Sequence, residues 1–245
     1  MKAMVLAAGL GTRLRPLTDD RPKALVEVGG RTLLEITLTR LRSSGISDVI
    51  INTHHFADMV AEYLRAHQNF GMHIEISYEP VLLDTGGGLK NAAHFFVGSD
   101  EPFLVHNVDV LSTIDFSEML AFHRERNALA TLAVQDRRTS RYLLFDQGGQ
   151  LCGRRVGLDG IPELVRAVEE PRARAFAGIH ILAPSIFSVL DEQGVFSIIP
   201  AYLRMAAGNK PIAAFDADSY YWRDLGRLES IANAAHEISE GFYPW

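Results

Sequence analysis

Residues 4–8 (MVLAA) are apolar at every position. A strand with one face in water alternates apolar and polar residues, so a run without alternation fits a strand covered on both faces. Such a strand belongs in the middle of a sheet with helices on either side. Further strand-like runs at 48–53, 73–79, 103–107 and 129–134 alternate with helical patterns at 32–43, 56–67, 86–95 and 115–126. This order predicts an α/β fold: a Rossmann-like, mixed but mainly parallel sheet flanked by helices. The character changes after residue 135. Residues 141–146 and 151 onward, around Gly148-Gly149, read as a small β-hairpin extension. A strand at 176–182, a helix at 198–207, short strands at 211–215 and 220–222 and an amphipathic helix at 226–240 complete the pattern. No internal repeat, low-complexity tract or linker interrupts it, and a single domain over 1–245 is expected.

Composition excludes several classes. A formal net charge of −6 argues against non-specific nucleic-acid binding, which needs a basic surface. The single cysteine, Cys152, rules out an internal disulfide, points to a reducing compartment and reads as an apolar filler. The opening apolar run is too short for a signal peptide, and no stretch approaches the roughly 20 apolar residues of a membrane span. A soluble, cytoplasmic protein is expected.

The densest motif is LAAGLGTRLRPLT, residues 6–18, followed by RPKAL at 21–25. A loop leaving a central strand at its carboxyl end sits where α/β folds bind ligands. Gly9 and Gly11 open backbone angles closed to other residues, so successive N–H groups can turn towards an anion. Arg13 and Lys23 add positive charge on either side, the first as a fork for phosphate oxygens, the second as a point charge. Two better-known loops are excluded. The third glycine of a dinucleotide fingerprint falls at Leu14, and no glycine cluster continues into GK[ST].

Two aspartates complete the constellation. VHNVDVL (105–111) sets Asp109 just past a buried strand, on the same edge as the glycine loop. WRDLG (222–226) sets Asp224 between the last short strand and the last helix. Alone, either reads as a helix cap. Together they are suited to a hard cation such as Mg²⁺, which takes one or two carboxylates plus phosphate oxygens.

These residues resemble the GxGTRxxPLT…PK signature of the sugar-1-phosphate nucleotidyltransferases. The resemblance runs the length of the chain in order and is sharpest over the first 110 residues or so. It implies a nucleotide-binding half (1–135) and a half (136–245) that completes the sheet and holds the sugar phosphate. It implies that Leu6, Ala7, Ala8, Gly9, Gly11, Thr12, Arg13 and Lys23 hold an NTP. Asn107 joins that set, and Asp109 and Asp224 hold the Mg²⁺. Within EPVLLDTGGGLKNA, Thr85, Gly86 and Gly87 correspond to the segment that contacts base and ribose. Short relatives of this type use UTP or GTP with a sugar 1-phosphate. No nucleic acid or membrane partner is implied, and oligomeric state is not readable.

The sugar side departs from the common pattern. An R-Y-G sequence is here Arg141-Tyr142-Leu143, and the lysine of a Glu-Lys-Pro segment is missing. A dianionic phosphate needs a cation, so Arg141, with Arg154 second, is the expected replacement among Arg137, Arg138, Arg141, Arg154 and Arg155. Asn52 and His54, at the end of the second strand, face the expected cleft and are counted with Gly178 on the sugar side. Two other classes stay open at this point. One is a nucleotide-sugar glycosyltransferase, disfavoured because Asp109 lacks a D-x-D partner. The other is a non-catalytic nucleotide sensor, disfavoured by Arg13, Lys23, Asp109 and Asp224 occurring together.

Overall fold

The computed structural model describes residues 1–241. The chain runs β1 (Ala3–Leu6), a glycine loop, β2 (Glu27–Val28), β3 (Arg31–Thr32), α1 (Leu33–Ser43), β4 (Asp48–Thr53), α2 (Ala57–Ala66), β5 (His73–Tyr78) and α3 (Asp84–Asn91). It continues with β6 (Phe103–Asn107), β7 (Val110–Ser112), α4 (Phe116–Glu125), β8 (Ala130–Gln135), β9 (Arg141–Phe145), β10 (Leu151–Val156) and β11 (Glu163–Leu164). The last elements are β12 (Arg172–Leu182), α5 (Ile198–Ala207), β13 (Ile212–Asp216), β14 (Trp222–Asp224) and α6 (Leu228–Ser239).

β1 lies at the centre, parallel to β4 on one side and to β6 on the other, and β5 extends the sheet parallel to β4. The burial pattern explains its unbroken apolar sequence. Ala3 and Val5 join one hydrophobic cluster, packed under α1, α4 and α6, while Met4 joins the cluster on the opposite face beneath α5. β4 divides likewise, Val49 and Ile51 to one side and Ile50 to the other. Both faces are dry, so neither needs a polar residue.

β12 is antiparallel to β9 over Arg172–Arg174, to β8 from Ala175 to Leu182 and to β6 from Ile179 to Leu182. Its register shifts between Phe176 and His180, where Gly178 takes a left-handed φ of 74°. A bulge there bends one strand between two pairings, which is why β12 is longer than the 176–182 expected. β9 and β10 form the expected hairpin, and β11 adds a third strand to this arm.

Several expected boundaries move. β1 stops at Leu6 because the Ala7 amide leaves the ladder and donates to Asn52 Oδ1 at 2.7 Å. The helix expected from residue 86 starts at Asp84 and breaks at Asn91 into a single 3₁₀ turn. The strand expected at 220–222 is instead Trp222–Asp224, held antiparallel to β7. β7, β2, β3 and β11 were too short for any periodicity to mark them. Cys152 is buried, its thiol donating to Leu144 O at 3.2 Å, and burial pushes it up to about 11. Among the described residues no helix is long and apolar enough to cross a membrane.

Three histidines are buried in this frame. His180 Nδ1 meets Tyr202 Oη at 2.5 Å, and His123 Nδ1 meets Thr131 Oγ1 at 2.9 Å. His106 Nδ1 meets Asn107 O at 2.8 Å, while its Nε2 is buried without a partner. Burial lowers His106 and His123 to about 4 and His180 to about 3. These rings stay neutral in the fold while an unfolded chain protonates them near pH 6.5, so the unfolded state binds more protons below that pH. Stability is therefore full above pH 6.5 and falls as pH drops towards 4. Each histidine is expected to cost about 2 kcal/mol between pH 7 and pH 5. Urea midpoints at pH 7, 6 and 5 read this directly, and a midpoint that does not fall would refute it.

Candidate active site

The glycine loop leaves β1 at its carboxyl end and folds back on itself at one residue. Gly11 has φ 64°, and a Cβ there would lie 2.9 Å from Thr18 Cγ2 and 3.1 Å from Lys23 Cβ. Thr18 Oγ1 donates to Gly11 O at 2.9 Å and closes the turn. Only glycine accepts both that angle and that crowding. Gly9 differs from expectation: its φ is ordinary and the space beside its Cα is empty. The turn is made by Gly11 alone, and the bare backbone at Gly9 leaves room in the cleft. Leu6, Ala8 and Gly9 line that cleft, about 340 Å³, together with Lys23, Asn107 and Asp109. This is within the size range of small-molecule sites. Ala7 is buried behind the wall, and Thr12 stands exposed at the loop's outer turn.

The two aspartates meet through a strand pair. Asp224 ends β14 opposite Val110 of β7, so the residue expected between strand and helix is itself in the ladder. Leu225 N donates to Asp109 O at 2.8 Å and locks the two segments together. Gly226 marks the point of convergence. A Cβ there would stand 2.8 Å from Asp224 Oδ1, 2.9 Å from Arg13 Nη2 and 3.4 Å from Asp109 Oδ2. Lys23 forms an ion pair with the same Asp109 oxygen, both side chains being nearly enclosed. Two carboxylates, a guanidinium and an ammonium thus gather around one glycine, although they come from three distant parts of the chain.

That cluster is suited to a hard cation. Its donors are carboxylate oxygens, and the space a Cβ would fill at Gly226 separates them. Among the described residues no group of three or more His, Cys, Asp or Glu forms a metal cage. Two protein carboxylates with phosphate oxygens as further ligands is the usual pattern for Mg²⁺.

At the far end of the cleft lies a residue that the sequence reading passed over. Glu79 is fully buried, accepting from Asn52 Nδ2 at 2.7 Å and from Leu83 N at 2.9 Å. His54 Nδ1 meets Glu79 O at 2.7 Å. Asn52 and His54, expected against the sugar, both hydrogen-bond within the protein, and Asn52 also lines the cleft. Asn52 ties Ala7 to Glu79 and so positions the start of the glycine loop. A buried acid opening the EPVLLDTGGG segment was the available signal, since such a group must have internal donors.

The close approach permitted by Gly86 and Gly87 is made by the protein itself. Their amides donate to Phe196 O at 3.0 and 3.1 Å, and a Cβ on either would collide with Phe196 or Gly194. Thr85 lines the cleft, and its Oγ1 accepts from Ile198 N at 3.0 Å, capping α5. Gly178 serves Asn107, whose Nδ2 would lie 2.8 Å from a Cβ at that position. On the arm, Arg141 is exposed at the outer start of β9, and Arg154 is paired with Glu163 at 2.7 Å.

Known proteins resemble this chain over nearly its whole length. A family model described as nucleotidyl transferase matches residues 2–241. An N-acetylmuramate α-1-phosphate uridylyltransferase of Caulobacter vibrioides is 36% identical over 97% of each chain. A mannose-1-phosphate guanyltransferase of Yarrowia lipolytica is 33% identical, covering 93% of this chain and 61% of that longer protein. The solved structure of a UDP-glucose pyrophosphorylase complexed with UDP-glucose has a TM-score of 0.77 at 19% identity, covering 98% of both chains. That of HddC from Yersinia pseudotuberculosis complexed with GMP-PN has a TM-score of 0.74 at 22% identity, covering 97% of this chain and 99% of the other.

Proposed function

This chain belongs to the nucleotidyl transferase family, and on that footing we propose that it transfers NMP from UTP or GTP to a sugar 1-phosphate, releasing pyrophosphate. The observation that carries the reading is the gathering of Arg13, Asp109 and Asp224 around Gly226, with Lys23 on Asp109, beside a cleft that opens onto the glycine loop.

A phosphate oxygen of the sugar 1-phosphate attacks the α-phosphorus of the NTP. One P–O bond forms, the α–β bond breaks in line, and its electrons leave with pyrophosphate. The attacking monoester has its second pKa near about 6 and is mostly dianionic at neutral pH, so no general base is needed. What the chain must do is position the two anions and neutralise them. The loop from Leu6 to Thr12 presents backbone to the triphosphate, Arg13 grips its oxygens and Lys23 supplies a second positive charge. Asp109 and Asp224 are the residues that would hold Mg²⁺, which when bound stabilises charge on the phosphoryl oxygens. Glu79, through Asn52, keeps the loop start in place. The buried, unpaired Cys152 suits a reducing cytoplasm.

A pyrophosphate-release assay tests the whole reading. UTP, GTP, ATP, CTP and dTTP are each paired with the 1-phosphates of glucose, mannose and N-acetylmuramate. Release is expected with UTP or GTP and only when a sugar phosphate is present. Release without any sugar phosphate, or none with any pair, would overturn it.

A further inference from the structure

The charges gathered around Gly226 are assigned above to the triphosphate, so the incoming sugar phosphate needs a cation of its own. Arg141 is exposed and Arg154 is neutralised by Glu163. The structure holds another arginine whose situation calls for an anion. Arg137 lies in the turn between β8 and β9, half-buried, with its guanidinium 3.7 Å from the centre of the Trp222 ring. Its Nη2 donates to Phe176 O at 2.8 Å, while its Nε is buried without any partner.

A guanidinium carries five N–H donors and a permanent charge. Taking one out of water without a carboxylate is costly, and proteins retain it only where something negative compensates. Among the described residues Arg137 makes no salt bridge. Burial lowers its pKa, and the negative charge of Asp224 works the other way. The stack on Trp222 sets the side chain beside β14, in which the next residue but one is Asp224. The flat stack on Trp222, whose Nε1 donates to Ala177 O at 2.7 Å, fixes the guanidinium in place two residues from Asp224 along β14. Arg155 is the nearest competitor, with a buried unpartnered Nε and a guanidinium 5.6 Å from the Tyr142 ring centre. Arg155 stacks on Tyr142 of β9, whereas Arg137 stacks on the strand that carries Asp224, and Arg137 is preferred on that ground.

We propose that Arg137, held over Trp222, binds the phosphate of the sugar 1-phosphate beside Asp224. The assignment rests on the nucleotidyltransferase reading above. It makes the β8–β9 turn the sugar-phosphate side of the cleft and gives the missing lysine a replacement from a different place in the chain. A dianion seated there neutralises the buried guanidinium and stands close to the residues that face the α-phosphate.

The test has two readouts. In the first, Arg137→Gln keeps a donor for Phe176 O but removes the charge. With the sugar 1-phosphate and NTP that give the fastest pyrophosphate release, it is expected to raise the KM for the sugar phosphate at least about tenfold, the scale of a charge-assisted contact. The KM for the NTP should move less than twofold. Arg137→Lys should recover part of the loss, and the exposed Arg138→Ala should change neither constant. Melting curves identify any variant that fails to fold, and if Arg137→Gln does so, Arg137→Lys carries the comparison. The second readout needs no turnover. The chain has two tryptophans, so in a Trp245→Phe background the fluorescence reports Trp222. Glucose 1-phosphate, mannose 1-phosphate and N-acetylmuramate 1-phosphate, each with and without a non-hydrolysable NTP analogue, should give a saturable change for at least one, lost in Arg137→Gln. An unchanged sugar-phosphate KM in a folded variant, or no saturable Trp222 signal with any of the three, overturns the assignment. Absence of pyrophosphate release alone, with the fluorescence change intact, would instead fault the reaction and leave the anion seat standing.

Discussion

Asp109→Asn lowers kcat by at least about a hundredfold, the expected result of removing charge stabilisation worth several kcal/mol in the transition state. The argument is geometric. Asp109 Oδ2 pairs with Lys23 and lies 3.4 Å from the position a Cβ would take on Gly226, with Asp224 Oδ1 and Arg13 Nη2 nearer still. Asparagine keeps the size and loses the negative charge, so it removes the residue's capacity to hold Mg²⁺ while leaving the β7–β14 contact through the backbone of Asp109 intact. Asp224→Asn should behave alike, because the proposed function gives both carboxylates the same ion. Turnover at saturating substrates across a Mg²⁺ titration measures the effect. A melting curve separates it from a folding defect, since asparagine leaves the nearly enclosed Lys23 with a weaker partner. Near-normal turnover in a folded variant at ordinary Mg²⁺ would remove that aspartate from the site.

Arg13→Ala is expected to reduce kcat about a hundredfold while changing the KM for the NTP only a few-fold, as for other groups that meet developing charge. Arg13 is exposed and forms no ion pair among the described residues, yet its guanidinium reaches the space over Gly226 beside both carboxylates. A cation placed there contributes most when charge on the transferring phosphoryl group is greatest. Its contribution therefore belongs to the transition state more than to ground-state binding. Arg13→Lys should recover only part of the rate, because an ammonium lacks the planar fork. A change confined to KM, with kcat preserved, would make Arg13 a nucleotide-binding residue without a part in the chemical step.

Much of this was legible before any fold was known. The dry faces of β1 follow from its unbroken apolar run, and the loop's charge and glycines follow from a dense local motif. What escaped is instructive residue by residue. Gly9 and Gly11 look equivalent in the sequence, but only Gly11 has a left-handed φ, because only there does Thr18 close the turn. Gly86 and Gly87 read as a place for close approach, and one is made, by residues 194–196 from the other half of the chain. Asn52 and His54 sit where a ligand contact was expected, yet Glu79 takes the hydrogen bonds of both.

The sequence by itself determined the fold class, and it marked the glycine-rich loop, Asp109 and Asp224 as candidates, because each of these readings rests on neighbours within a few residues. Periodicity and local charge are local properties, readable without knowing what packs on what. Only the tertiary structure decided that Asp109 and Asp224 share one glycine, since that depends on a strand of three residues whose partner lies at the far end of the chain. It also decided which arginine loses its water. Arg137 and Arg141 are indistinguishable by composition. The turn after β8 lays Arg137 on Trp222 while the start of β9 leaves Arg141 in solvent, and burial, unlike charge, is a property of the assembled fold.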